Sequence, residues 1–195
     1  MAPRTEEQFE EIRKESRRKI LDAALKVISE KGYHGASIAS IAKDAGVSKG
    51  LMYNYFKNKE DLLLVIMMDG YEKIFNNFEI KPELSAEENV MFLVEQTFHV
   101  MENMKDAVQL YFSVMLDSEV FRLIRDHLNE LSEPLMMGFA KVMEELGFED
   151  PMGEAFFLRF ILDGISVNYL VLSDDFPKEY CISRIKELYM GRKSK

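Results

Sequence analysis

The chain has 195 residues, of which 47% are hydrophobic and 30% charged, and a formal net charge of −9. That length suffices for one large domain or two small ones, with a core that needs no covalent staples. A single cysteine, Cys181, excludes a disulfide framework and any multi-thiolate metal site built from one chain.

The amino terminus, Met1-Ala2-Pro3-Arg4, runs into charged residues rather than an apolar segment. No secretory leader is expected there, and a cytoplasmic location is. Apolar residues then recur at helical spacing along nearly the whole sequence, and no segment alternates with period two between turn signals, so the predicted class is all-α. A first helix, starting at Thr5 or at Ser16, carries Ile20, Leu21, Ala24, Leu25 and Ile28 and stops at Lys31-Gly32. Ser37 caps a short second helix, Ile38 to Ala45, which Gly46 terminates. Ser48 caps a third that lasts to about Phe56, with Val47 and Met52 as a hydrophobic staple. Asn58 caps a fourth, longer helix bearing Leu62, Leu63, Ile66, Ile74 and Phe78.

Two short helices joined by a tight glycine turn inside a three-helix head are the helix-turn-helix layout. Charge agrees with that placement. Residues 1–60 hold 12 Lys+Arg against 9 Asp+Glu, whereas residues 61–195 hold 13 against 25, a basic head on an acidic body. At 100° per residue, Met52 and Phe56 share one face of the third helix, and Lys49, Gly50, Tyr53 and Asn54 share the other. Lys49 can donate to guanine O6/N7, and Asn54 can pair with adenine N6/N7. Gly50 lets the helix backbone come close, Tyr53 suits a phosphate or a thymine methyl, and Leu51 and Tyr55 flank the face. Phosphate anchors are expected from Lys59, at the start of the fourth helix, and from Arg17 and Arg18, with Arg13, Lys14 and Lys19 nearby. The competing reading of that basic cluster is a solvated face paired with Glu11, Glu15 and Asp22.

The stretch from Gly32 to Leu63 resembles the DNA-binding domain of the TetR family of bacterial transcriptional regulators. The words that carry the likeness are Gly32-Tyr33-His34-Gly35-Ala36-Ser37, Ile41-Ala42-Lys43-Asp44-Ala45-Gly46-Val47-Ser48, Lys49-Gly50-Leu51-Met52-Tyr53-Asn54-Tyr55-Phe56 and Lys57-Asn58-Lys59-Glu60-Asp61-Leu62-Leu63. With the first helix included, the likeness covers about 45 residues, to the start of the fourth. Ser37 stands where the family usually has threonine, which keeps the capping hydroxyl, and Met52-Tyr53-Asn54-Tyr55 stands where it often has leucine-tyrosine followed by histidine, which keeps an apolar core residue and a phosphate-capable ring. Ala39 implies that the second helix reads little sequence. The DNA-binding set is therefore Ser37, Ser48, Lys49, Gly50, Leu51, Tyr53, Asn54, Tyr55, Lys59, Arg17 and Arg18.

For the remainder the resemblance implies a helical effector-binding and dimerisation domain over 61–195, joined to a helix-turn-helix domain over 1–60, about nine helices in all. The penultimate helix, about Met152 to Leu172, and the last, about Lys178 to Gly191, would form a four-helix homodimer interface. Its expected residues are Phe156, Phe160, Gly164, Ile182, Ile185 and Tyr189. The most apolar stretch, Phe156 to Leu172, is interrupted by Arg159, Asp163, Gly164 and Asn168, so it is not expected to span a bilayer. The effector pocket is drawn from Phe92, Phe98, Met101, Tyr111, Met115, Phe139 and Asn168, soft and aromatic side chains that suit an apolar or aromatic small molecule. Gln96, His99 and His127 are further polar candidates, although His127 falls on an apolar stripe and reads as a core histidine.

No metal-ligand spacing links His34, His99 and His127, and no phosphate loop, nucleophile elbow or dinucleotide fingerprint is present. The reading is a ligand-responsive DNA-binding regulator rather than an enzyme, with no cofactor and with a pseudo-palindromic operator, an unidentified effector and a second copy of itself as partners. A non-inducible activator or co-regulator of the same fold, or a helical interaction module that no longer binds DNA, are the alternatives.

Overall fold

The computed structural model describes residues 5–191; Met1-Ala2-Pro3-Arg4, where no leader was expected, lies outside them. Among the described residues there are nine α-helices, two short 3-10 turns and no strand, which is the expected all-α class. The helices are α1 (Glu6–Gly35), α2 (Ile38–Asp44), α3 (Lys49–Tyr55), α4 (Lys59–Phe75), α5 (Ala86–Asn103), α6 (Lys105–Met115), α7 (Ser118–Glu145), α8 (Pro151–Leu172) and α9 (Lys178–Tyr189).

Local chemistry sets the boundaries of the first four. Thr5 and Gln8 form a reciprocal capping box, so α1 begins at the earlier of the two expected starts. At Gly32 the helix does not end but breaks: φ 70° and ψ 164° are a backbone state essentially reserved for glycine, after which one further turn runs to Gly35. Ser37 and Ser40 cap α2 in the same reciprocal way. It closes one residue sooner than expected, with Gly46 left-handed (φ 66°). The Val47 N–H donates to Ala42 O (2.9 Å) and the Gly46 N–H to Lys43 O (3.3 Å), the two bonds of a Schellman stop. Ser48 Oγ accepts from Leu51 N–H (3.1 Å) and starts α3. Asn58 Oδ1 accepts from Asp61 N–H (2.7 Å), while the Asp61 carboxylate reaches back to Lys57 N–H (2.9 Å) at the start of α4.

By packing, the chain divides into two compact units. One holds the residues up to Gly70 together with Gln109–Ile124, and the other holds Tyr71–Val108 with the residues from Arg125 onward. These differ in extent from the expected 1–60 and 61–195 division, because the α6–α7 corner packs with α1. His34 Nε2 meets Asp117 Oδ2 at 2.9 Å, and Gln109 donates to Ser29 O at 3.5 Å. The core of the first unit is Ile20, Ala24 and Ile28 of α1, Ile41 and Ala42 of α2, Met52 and Phe56 around α3, and Leu62 and Leu63 of α4. Each fully buried side chain of this size stabilises by roughly 1.5–3 kcal/mol.

In the second unit α5 packs against α8 and α9. Val90, Leu93, Val94, Phe98, Phe139, Met143, Leu158, Leu162, Ile185 and Tyr189 form its core. The buried polar groups are satisfied. Thr97 and Ser166 donate to carbonyls one turn back (2.9 and 2.8 Å). Asn89 holds the preceding loop by accepting from Lys81 N–H and donating to the carbonyls of Lys81, Leu84 and Ser85. His127, expected in a core stripe, is exposed; Val120, Ile124 and Leu128 fill that stripe and leave it at the edge. By length and composition α8 could cross a bilayer, but its Ala155, Leu158, Leu162 and Ile165 are buried in the core, and Arg159 and Asp163 pair along it at 3.6 Å.

Gly32→Ala should destabilise the first unit by about 1–3 kcal/mol in urea unfolding through backbone strain alone, since a Cβ there meets nothing within 4 Å. Asp117 caps α7 by accepting from the N–H groups of Val120 and Glu119, and these bonds, Val120 first, together with His34, hold its carboxyl below the ordinary range. A carboxyl with a lower pKa folded than unfolded adds stability above its unfolded value, which is lost as pH falls through the folded one. Asp117→Ala should therefore flatten the acid limb of the unfolding profile below about pH 4, followed by circular dichroism.

Candidate nucleic-acid interface

The seven-residue α3 has the two faces its sequence requires. Met52 and Phe56 are 0% and 2% exposed, and Tyr53 is 51% exposed. Lys49, Gly50 and Asn54 are exposed with Tyr53, and Leu51 and Tyr55 are half-buried at the flanks. Nothing inside the chain requires glycine at position 50: an added Cβ would meet only Ser48 Oγ, at 3.9 Å. Ser48 and Ser37 act first as helix caps, and the Ser37 hydroxyl is engaged with Ser40 Oγ (3.1 Å).

Three contacts tie the helices of the head to one another, and sequence spacing signals none of them. Lys26 of α1 pairs with Asp44 of α2 at 3.1 Å. The Arg17 guanidinium lies 5.9 Å from the centre of the Phe56 ring, a cation–π contact that ties α1 to the end of α3. Lys59, expected as a phosphate anchor, makes three contacts within the head. Its Nζ donates to Tyr33 O (3.0 Å) and Ala36 O (3.2 Å) and sits 4.0 Å from the centre of the Tyr33 ring. The attraction is electrostatic: two backbone carbonyls beyond the break at Gly32 lie within hydrogen-bond reach of the ammonium. Beside it, burial raises the Tyr33 phenol to about 12, with the Glu60 and Glu119 carboxylates adding to the shift.

Of the basic cluster on α1, Arg18 is exposed and Lys19 is paired with Glu15 at 2.8 Å, which holds that carboxyl below its ordinary range. The solvated-face reading therefore holds for Lys19. Arg17 is exposed as well, with its guanidinium over the Phe56 ring.

The expected effector residues are distributed over the two units. Tyr111 and Met115 belong to the first unit and the other five to the second. Phe98, Met101 and Phe139 are buried, and Phe98 and Phe139 are core residues of the second unit. Phe92 is half-buried, with Lys81 Nζ 5.6 Å from its ring centre. Asn168 is exposed and donates to Gly164 O of its own helix (2.7 Å), so it orients nothing in the interior. Of the expected interface, Phe156, Phe160 and Gly164 are exposed and Ile182 is half-buried. Ile185 and Tyr189 are corrected: both lie inside the chain's own core, and the Tyr189 hydroxyl donates to Glu154 at 3.0 Å. The exposed stripe of α8 also carries Phe157, Val171 and Leu172, and α9 exposes Tyr180 and Leu188. Among the described residues no cluster of three or more metal-ligating side chains occurs.

Residues 20–66 match the family model described as "Bacterial regulatory proteins, tetR family". The chain is 31% identical over 157 residues to the HTH-type transcriptional regulator BetI of Escherichia coli K12, an alignment spanning 76% of this chain and 79% of that protein. It is 32% identical over 127 residues to the fatty acid metabolism regulator protein of Bacillus subtilis, spanning 61% of this chain and 66% of that one. The fold is shared with the transcriptional regulator FadR of Bacillus subtilis in complex with stearoyl-CoA (TM-score 0.70, 23% identity, 90% of this chain and 98% of that one). It is also shared with a regulator from Saccharomonospora viridis in complex with choline (TM-score 0.76, 23% identity, 90% and 95%).

Proposed function

This chain belongs to the TetR family of bacterial regulatory proteins and is a DNA-binding transcription regulator, not an enzyme; from that premise we propose that it acts in the cytoplasm as a homodimeric repressor released from a pseudo-palindromic operator by an apolar effector. The observation that carries the reading is the division of α3: an apolar side locked into the head, and a polar side of Lys49, Tyr53 and Asn54 facing outward around a glycine that the chain itself does not need. Glycine leaves the unfolded chain more freedom than alanine does, which costs about 0.4–1 kcal/mol where alanine would fit without strain. A backbone that must come close to a groove accounts for retaining it.

Two copies of α3 must enter successive major grooves about 34–36 Å apart, so operator recognition requires a dimer. The exposed apolar stripe of α8 supports that assembly. Phe156, Phe157, Phe160, Val171 and Leu172 share one side of the helix, and an added Cβ at Gly164 would meet nothing within 4 Å, so a partner helix can approach there. Residues 1–60 then serve as the reading head and residues 61–195 as the effector and dimerisation region. The continuous α4 joins the two and is the element through which an effector would change the spacing of the heads. Coupling of about 1–3 kcal/mol would change operator affinity by roughly 5–150-fold.

The names of the relatives direct the choice of effector. A fatty acid metabolism regulator and a stearoyl-CoA complex both concern acyl chains, which suit the methionine- and phenylalanine-rich interior of this chain better than a small cation does. The deciding experiment is selection of bound DNA from a random pool, followed by addition of stearoyl-CoA or choline to the selected complex. A two-fold site released by the acyl thioester supports the whole reading; a site without symmetry refutes the dimer, and release by choline alone refutes the effector class.

Lys49→Ala and Asn54→Ala should each cost about 1–3 kcal/mol of operator affinity and relax preference at one base pair, read by titrating single-base operator variants. Phe160→Glu should convert the dimer to a monomer in analytical ultracentrifugation and abolish operator binding at concentrations where the parent saturates it.

A further inference from the structure

Lys59 stands at the start of α4, where three contacts within the head hold its side chain. Its ammonium is half-buried and held from three directions: by two backbone carbonyls at 3.0 and 3.2 Å and by the Tyr33 ring, 4.0 Å to its centre. The carbonyls belong to residues 26 and 23 positions earlier in the chain. The contact therefore closes a loop, and that loop contains the whole of α2, the Gly46 turn and α3. Ala36, one of the acceptors, is the residue immediately before the cap of α2, and Lys59 lies three residues beyond Phe56, which ends α3. Arg17 on the Phe56 ring forms a second tie at the same end. The break at Gly32 redirects the last turn of α1, the segment whose carbonyls converge on the ammonium.

We propose that Lys59 is a positioning residue: a strut between the start of α4 and the end of α1 that fixes the aim of α3, in place of the phosphate contact that its position in the sequence suggests. To reach a phosphate the side chain would have to abandon two charge-assisted hydrogen bonds and a cation–π contact. The strut holds α4 and the reading helix as one rigid piece, so a movement of α4 is passed on to α3. The proposal deepens the operator-binding reading and rests on it for its functional consequence, but the strut itself can be tested without DNA.

Three measurements on the full chain compare the parent with Lys59→Met, which keeps the stem and removes the charge, and with Lys59→Arg, which keeps donors. Without DNA, amide exchange across residues 33–37 and 49–55 should accelerate at least ten-fold in Lys59→Met and much less in Lys59→Arg. On a mixed-sequence 40-base-pair duplex, the slope of log affinity against log salt should be the same for Lys59→Met and the parent, whereas Arg18→Ala lowers it by about 0.9. On the selected operator, discrimination against sites with one base pair added or removed at the centre should narrow at least ten-fold in Lys59→Met. A residue that merely stabilised the head would not move that last readout. Unchanged exchange, a salt slope lowered by about 0.9 in Lys59→Met, or unchanged spacing discrimination each overturns the proposal. A parent that binds no duplex refutes the operator reading instead, and the exchange measurement still decides the strut. Should Lys59→Met fail to fold, Lys59→Gln, with one donor retained and the charge gone, replaces it under the same criteria.

Discussion

A helix of seven residues has no stability of its own in water, because nucleation costs more than so few hydrogen bonds return. α3 exists because Met52 and Phe56 are buried in the core of the head, and everything the head offers to a partner follows from that one burial. With the apolar side fixed inward, the period of the helix leaves Lys49, Tyr53 and Asn54 no direction but outward. The caps at Ser37, Ser48 and Asn58 and the Schellman stop at Gly46 then limit where each helix begins and ends. Boundaries are set by hydrogen bonds worth about 1 kcal/mol each, and orientation by apolar burial worth more.

The second unit solves a different problem with the same materials. Its helices bury one side in a shared core, yet α8 keeps a second apolar side in the open. Large exposed apolar patches are rare on chains that work alone. The charged pair Arg159–Asp163 lies along the same helix, so α8 mixes an inner core surface, an ion pair and an outer apolar surface within 22 residues. This explains how one helix can satisfy the length and composition of a membrane span while serving as core.

The head was the more legible part of the sequence, for a physical reason. Its elements are short and are delimited by residues with strong local preferences: Gly46, Ser37, Ser48 and Asn58 each have few other reasons to be where they are. The break at Gly32 was legible as a stop but not as a kink, since a glycine alone does not say whether the chain resumes a helical turn. The fate of Lys59 was hidden because its partners are backbone carbonyls, which carry no sequence signal. In the second unit the pattern showed which residues are apolar but not which of two apolar surroundings each one enters. Ile185 and Tyr189 lie on the same helix as the exposed Tyr180 and Leu188 and differ from them in angle, not in type. His127 and Asn168 erred for the opposite reason: a polar residue at the edge of an apolar stripe can rotate outward or satisfy itself on its own helix.

Gly50 has a bearing on how such a protein can be improved in the laboratory. The position tolerates a methyl group as far as the chain is concerned, and alanine would lengthen the life of a short helix. A selection for heat resistance alone would therefore drift towards alanine there and recover a sturdier molecule with a blunted reading surface. Durability and recognition pull against each other at a single backbone atom, and only a screen that scores both would keep the glycine.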